Sequence, residues 1–155
     1  MKKRISKITT FLLAMIMLLA VAGCGNRSEK NSDTRVVTDA LGREVEIPAE
    51  VKTIVPLGNT PRMISYLGLA DMVVGIEKCE IATSPIQAYA YPHVDKWSKL
   101  PNCGTSAMGE TAYYPEQIMV AAPDVILSTD TADVADNLQT QTGIPVVCVA
   151  RGTLF

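Results

Sequence analysis

Few residues of this 155-residue chain have the type and spacing for covalent chemistry. The lone histidine, His93 in "YPHVDKW", has no second histidine or cysteine at ligand spacing and reads as a surface loop residue rather than a catalyst or metal ligand. No two acids are spaced as an acid–base pair. Phosphate loops, nucleophile elbows and zinc-binding helix motifs are all missing from the sequence. Four cysteines remain: Cys24, Cys79, Cys103 and Cys148. The last three are an odd number without a C-x-x-C pair, so at least one is free or pairs between chains. They are small packing residues, or Cys79 and Cys103 form a disulfide, or one serves a metal or ligand. An enzyme has nothing here to work with, and no cofactor is implied. What the chain does carry is a set of polar residues suited to holding a ligand.

Cys24 is a separate case. Lys2, Lys3, Arg4 and Lys7 form a basic head, and no charge follows from Ile8 to Gly23. The apolar run "FLLAMIMLLAVA" is short of the roughly 20 residues of a membrane span and has the pattern of a secretory signal. "VAGC", residues 21–24, resembles the lipobox of bacterial lipoproteins, with Val21 where leucine is more usual. That resemblance implies cleavage before Cys24, a lipid on its thiol, and an exported protein held on the outer face of the cytoplasmic membrane. Residues 1–23 are then a signal peptide and 24–34 a polar, flexible tether.

Four of the 14 basic residues lie in the head and none of the 16 acidic ones do, leaving the exported part net negative. That balance argues against nucleic acid as a partner. Residues 35–155 are long enough to bury one core as a single domain.

The elements that position the polar residues follow from periodicity. "VVTDALGREVEIP" alternates apolar and acidic residues around Gly42 and predicts a β-hairpin. "KTIVPL" and "MVVGI" predict buried strands. Between them, Thr60 as N-cap, Pro61 at the first turn and Gly68 at the end predict a helix. Residues 77–112, rich in Pro, Tyr and small polar residues, are either a functional loop or a run of short elements. "YPEQIMVAA" then predicts a helix, "DVILS" a strand, "TADVADNLQTQTG" a helix and "PVVCVA" a last strand. Alternating strands and helices make a doubly wound α/β domain with a mostly parallel sheet, preceded by a hairpin. Ligands bind such sheets outside the carboxyl ends of the strands. The loops there are residues 58–62, 77–79, 104–108, 129–131 and 150–152. They place Asn59, Thr60, Arg62, Thr129, Asp130 and Arg151 as the candidate ligand-binding residues.

The same stretches carry a family resemblance. Asp39, Gly42, Arg43, Val45 and Pro48 match an Asp-x-x-Gly-Arg-x-Val-x-x-Pro hairpin, and Val51, Ile54 and Val55 match the strand after it. With "YYPEQIMVAAPDVIL" and "LQTQTGIPVVCV", residues 35–150 resemble the iron-siderophore, haem and cobalamin (Fe/B12) binding proteins of ABC importers. The resemblance implies an amino-terminal lobe, an iron-chelate, haem or corrinoid ligand, and an ABC permease as partner. It also implies that Glu116, in "PEQI", docks on that permease. Two departures stand out. Thr60-Pro61-Arg62 replaces the family's usual Thr-Glu, so either Arg62 makes the helix start more favourable to an anion or it is simply solvated. The sequence also stops where the family's long connecting helix begins, so the second lobe is expected to be absent. An exported lipoprotein with a sensing or protein-binding role, without transport, is the alternative.

Overall fold

The computed structural model describes residues 34–81, 84–107 and 110–150. Cys24, the signal and most of the tether, and Arg151 lie outside the described residues.

The hairpin is β1 (Thr34–Thr38) and β2 (Glu44–Pro48), antiparallel, with Thr34 opposite Pro48 and Thr38 opposite Glu44. Val45 and Ile47 point inward while Glu44 and Glu46 stay exposed, as the alternation requires. The turn closes through Asp39. Gly42 takes φ +78°, which a side chain would resist. Asp39 Oδ1 accepts the Leu41 and Arg43 amides at 2.9 and 3.0 Å. Its Oδ2 accepts the Arg43 guanidinium at 2.7 and 2.9 Å and the Cys148 amide at 3.2 Å. Arg43 in turn reaches the Val146 carbonyl at 2.8 Å and Asp136. The Asp–Gly–Arg signature is therefore a clamp between the hairpin, the last strand and the last helix.

Three parallel strands follow in the order β3 (Ile54–Pro56), β7 (Val125–Ser128), β8 (Val146–Cys148). A second sheet holds β4 (Ile76–Glu77), β5 (Asn102–Ala107) and β6 (Glu110–Tyr113). A parallel bridge from Ile54 to Val73 and a 3.1 Å bond from the Val74 amide to the Ile54 carbonyl join the two. Strand alternation divides the core. Val55, Ile126 and Val146 pack with Ile118 of α3 (Pro115–Ala121) and with Ala135 and Leu138 of α4 (Ala132–Thr142). On the other face, Ile54 packs with Ile64 of α1 (Thr60–Tyr66), and Val125 with the hairpin's Val45 and Ile47. Helices on two faces of a largely parallel sheet are the doubly wound architecture the periodicity predicts.

Details differ from the sequence reading. Asn59, not Thr60, occupies the N-cap of α1. The Thr60 hydroxyl instead donates to the Leu57 and Leu127 carbonyls at 2.9 and 3.3 Å, because a buried hydroxyl needs an acceptor wherever one lies. Of "MVVGI" only Ile76 lies in a strand, which continues to Glu77, and residues 70–72 tighten into a 3₁₀ turn. Residues 77–112 are a run of short pieces: two 3₁₀ turns, α2 (Val94–Trp97), β5 and β6. Their anchor is Trp97, which is wholly buried with Ala90 and Ile76. No disulfide joins Cys79 to Cys103: both are free thiols, as is Cys148. Cys103 fills core space against Gly75, where a Cβ would lie only 2.4 Å from its Sγ.

Candidate functional site

The five parallel strands end on one edge, and polar residues collect there. After β3 the chain turns through Gly58 at φ +63°. The Gly58 amide donates to Glu77 Oε2 at 2.6 Å, at the end of β4, and the Ser106 hydroxyl of β5 donates to Oε1 at 2.6 Å. After β7, the Asp130 carboxylate accepts the Ser128 hydroxyl at 2.5 Å and the phenol of Tyr113. Thr129 Oγ1 lies 3.4 Å from the Asn59 amide. The turns after β3, β4 and β7 are thus tied together by side-chain bonds rather than left as separate loops.

A second polar group sits beside the first. The Arg62 guanidinium lies 5.0 Å above the Tyr89 ring, and the Tyr89 phenol donates to Glu80 at 2.7 Å. The Arg62 charge is therefore engaged by an aromatic face and a nearby carboxylate, which leaves it less available to an anion.

Electrostatics at this edge follow burial. Glu77 is wholly buried, and desolvation pushes its carboxyl above the usual range. The bonds from Ser106 and Gly58 offset part of that, while Glu80 and Asp130 add to it. Glu80 is likewise pushed up by burial, against the opposing effects of Tyr89 and Arg62. Burial and the bond to Glu80 push the Tyr89 phenol up to about 12. Burial also raises Tyr113, helped by its bond to Asp130. Glu77, Glu80 and Asp130 thus share this edge with two cations, the exposed Arg62 and Lys78.

Of the residues the sequence singles out, Asn59, Thr60, Thr129 and Asp130 come together around the β3 and β7 turns. Thr60 lies beneath the turn with its hydroxyl already used, and Arg62 faces Tyr89. Glu116 stands exposed in the first turn of α3, on another part of the surface. Sequence reasoning missed Glu77, Ser106, Tyr113 and the Tyr89–Glu80 pair. Glu77 carried one usable signal: an acid closing an apolar strand, inside a loop at the expected edge. Tyr113 carried none, because its contact with Asp130 crosses from β6 to the turn after β7. An apolar hollow of about 500 Å³ lies between the hairpin and the sheet, lined by Val37, Ile47, Ile64, Leu127 and Val147 among others. None of its lining residues belongs to the polar edge. No cluster of metal-ligating side chains occurs among the described residues.

No protein-family model matches the chain, and no curated protein sequence matches it. Solved structures do. A periplasmic solute-binding protein from Veillonella parvula is 25% identical, with TM-score 0.58, over 79% of this chain and 37% of its own length. The molybdate periplasmic binding protein MolA of Haemophilus influenzae, solved with molybdate, is 19% identical, with TM-score 0.56, over 75% of this chain and 34% of its own. CeuE of Helicobacter pylori, solved as a nickel–histidine complex, is 20% identical, with TM-score 0.55, over 76% and 37%. The fold is that of one part of a periplasmic solute-binding protein. The chain spans little more than a third of the length of the proteins it matches.

Proposed function

We propose that this chain is the substrate-binding component, or the amino-terminal lobe of one, of an ABC importer for an iron chelate, haem or a corrinoid. The observation that carries the reading is the likeness to solute-binding proteins, reaching 25% identity over 79% of the chain. Its strand ends form a linked polar edge, where open α/β sheets bind ligands. Asn59, Thr129 and Asp130, with Arg62, face the ligand from that edge, and Arg151 is a further ligand-binding candidate in this reading. The ligand is recognised by shape and hydrogen bonding and is not transformed. Export and a lipid on Cys24 keep the protein beside its permease. Among the described residues no helix is long and apolar enough to cross a membrane. Glu116 is the docking residue. It is exposed, it sits in a helical first turn, and exposed Met119 and Val120 flank it on the same short helix.

A cell lacking the gene tests the reading. Uptake of ferric siderophore, haem iron and labelled cobalamin is measured in the mutant and in a complemented strain. Loss of one of the three, restored by complementation, supports it. Unchanged uptake of all three rejects it in favour of a sensing or protein-binding lipoprotein. A complementing gene carrying Glu116→Lys separates docking from binding: uptake falls while ligand affinity holds.

A further inference from the structure

The turn from β3 into α1 has every amide occupied. Leu57 N donates to the Leu127 carbonyl at 2.8 Å, and Thr60 N to the Leu57 carbonyl at 3.2 Å. Asn59 N faces Thr129 Oγ1 at 3.4 Å, and Gly58 N bonds Glu77 Oε2 at 2.6 Å. Consecutive amides in a left-handed glycine turn make a concavity that suits an anion. Here the protein supplies the anion itself. A Cβ at Gly58 would come within 2.8 Å of Thr129 Oγ1, so the turn is held closely between Glu77 on one side and Thr129 on the other.

Glu77 is an unusual residue to find there. It is wholly buried, and no salt bridge reaches it among the described residues. The titratable groups that act on it from the surrounding elements include Glu80, Asp130, Tyr113, Cys79 and Cys103, none of them a cation, and the adjacent Lys78 is exposed to solvent. A buried carboxylate without a cation is costly and would not be needed merely to fill space. Its two bonds go to the two neighbouring strand ends, so its position ties the β3 turn to β5.

We propose that Glu77 is a positioning residue of the ligand site: its carboxylate fixes the turn that presents Asn59 and Arg62, and it occupies the amide a free oxyanion would need. This rests on the binding reading above and deepens it. The ligand then turns a neutral or cationic face toward this edge. A free tetrahedral oxyanion is disfavoured at this turn, because Gly58 has no amide to offer.

The test reads Gly58 directly, by amide resonance in the isotope-labelled full chain. In the unmodified protein the Gly58 amide should shift with pH, with a midpoint above the ordinary glutamate range, as burial of Glu77 requires. Glu77→Gln preserves shape, its amide oxygen still able to accept from Gly58 while its NH2 donates to the Ser106 hydroxyl, and should remove that titration while the Trp97 indole signal stays put. Glu77→Ala should speed hydrogen exchange at Gly58 by about ten-fold or more without the same change at Val55. Molybdate, the oxyanion probe, should leave Gly58 unmoved in the unmodified protein. The proposal is overturned if Gly58 does not titrate, if it titrates alike in Glu77→Gln, if Glu77→Ala leaves its exchange unchanged, or if molybdate shifts it. None of these readouts uses the transporter. The uptake experiment can therefore fail with the Gly58 titration intact, and the reverse.

Discussion

Replacing Asp39 with alanine should be among the most damaging single changes in the domain. Its side chain is fully buried and accepts bonds from the Leu41, Arg43 and Cys148 amides and from two guanidinium nitrogens of Arg43. Arg43 is itself mostly buried, with a side chain 16% exposed, so removing Asp39 strands a guanidinium that keeps only Val146, Asp136 and Cys148. Breaking one side of a buried pair costs about 3–5 kcal/mol, and each orphaned amide adds to that. Against a total stability of about 5–15 kcal/mol, the variant should be marginal at room temperature. The assay is urea unfolding followed by Trp97 fluorescence, suited to this because Trp97 is wholly buried. The double variant Asp39→Ala/Arg43→Ala should cost less than the two singles summed, by about 1–3 kcal/mol. Acid titration supplies an independent check. Burial opposes ionisation of Asp39, but the Arg43, Cys148 and Leu41 bonds outweigh it and hold the carboxyl below its usual value. A lowered folded-state value means the stabilisation is present above the ordinary aspartate range and is lost as pH falls through the folded value. Asp39→Ala should flatten that acid limb. A loss below about 1 kcal/mol, or an unchanged acid limb, would refute the clamp.

Two glycine substitutions should fail for different reasons. Gly75→Ala puts a Cβ 2.4 Å from Cys103 Sγ and 3.0 Å from Val55, and should cost about 1–3 kcal/mol by thermal unfolding, with partial recovery on adding Cys103→Ala. Gly143→Ala meets open space but holds φ +69°, so its cost should be about 1 kcal/mol and insensitive to neighbouring changes. Glu77 works on stability in the opposite sense to Asp39. Its folded-state value is raised by burial, so its contribution is fully present below the unfolded value and declines as pH rises through the folded one. Unfolding at a series of pH values should show that decline, and Glu77→Gln should abolish it.

Sequence periodicity alone was enough for the hairpin, the helices at 60–66, 115–121 and 132–142, and the strands at 54–56, 125–128 and 146–148. These signals are local: alternation of two, stripes of 3.6, and glycines at turns and helix ends such as Gly42, Gly68 and Gly143, all at positive φ. The edge carrying the strand ends also followed, because parallel strands share a direction. Residues 77–112 were illegible, since pieces of three to six residues carry too little period to separate from a loop. The roles of particular side chains were decided only by tertiary structure. Asp39 and Arg43 could be read as a motif, but their work as a clamp depends on Cys148 and Val146, more than a hundred positions away. Thr60 had the composition of a cap and became a buried pin, because the Leu127 carbonyl happened to lie above it. Arg62 had the charge for an anion and was turned onto Tyr89. Glu77 was one more acid among 16 until the fold buried it between Gly58 and Ser106. Backbone form follows from neighbours along the chain, whereas a polar side chain's role depends on which distant partner reaches it after water has left.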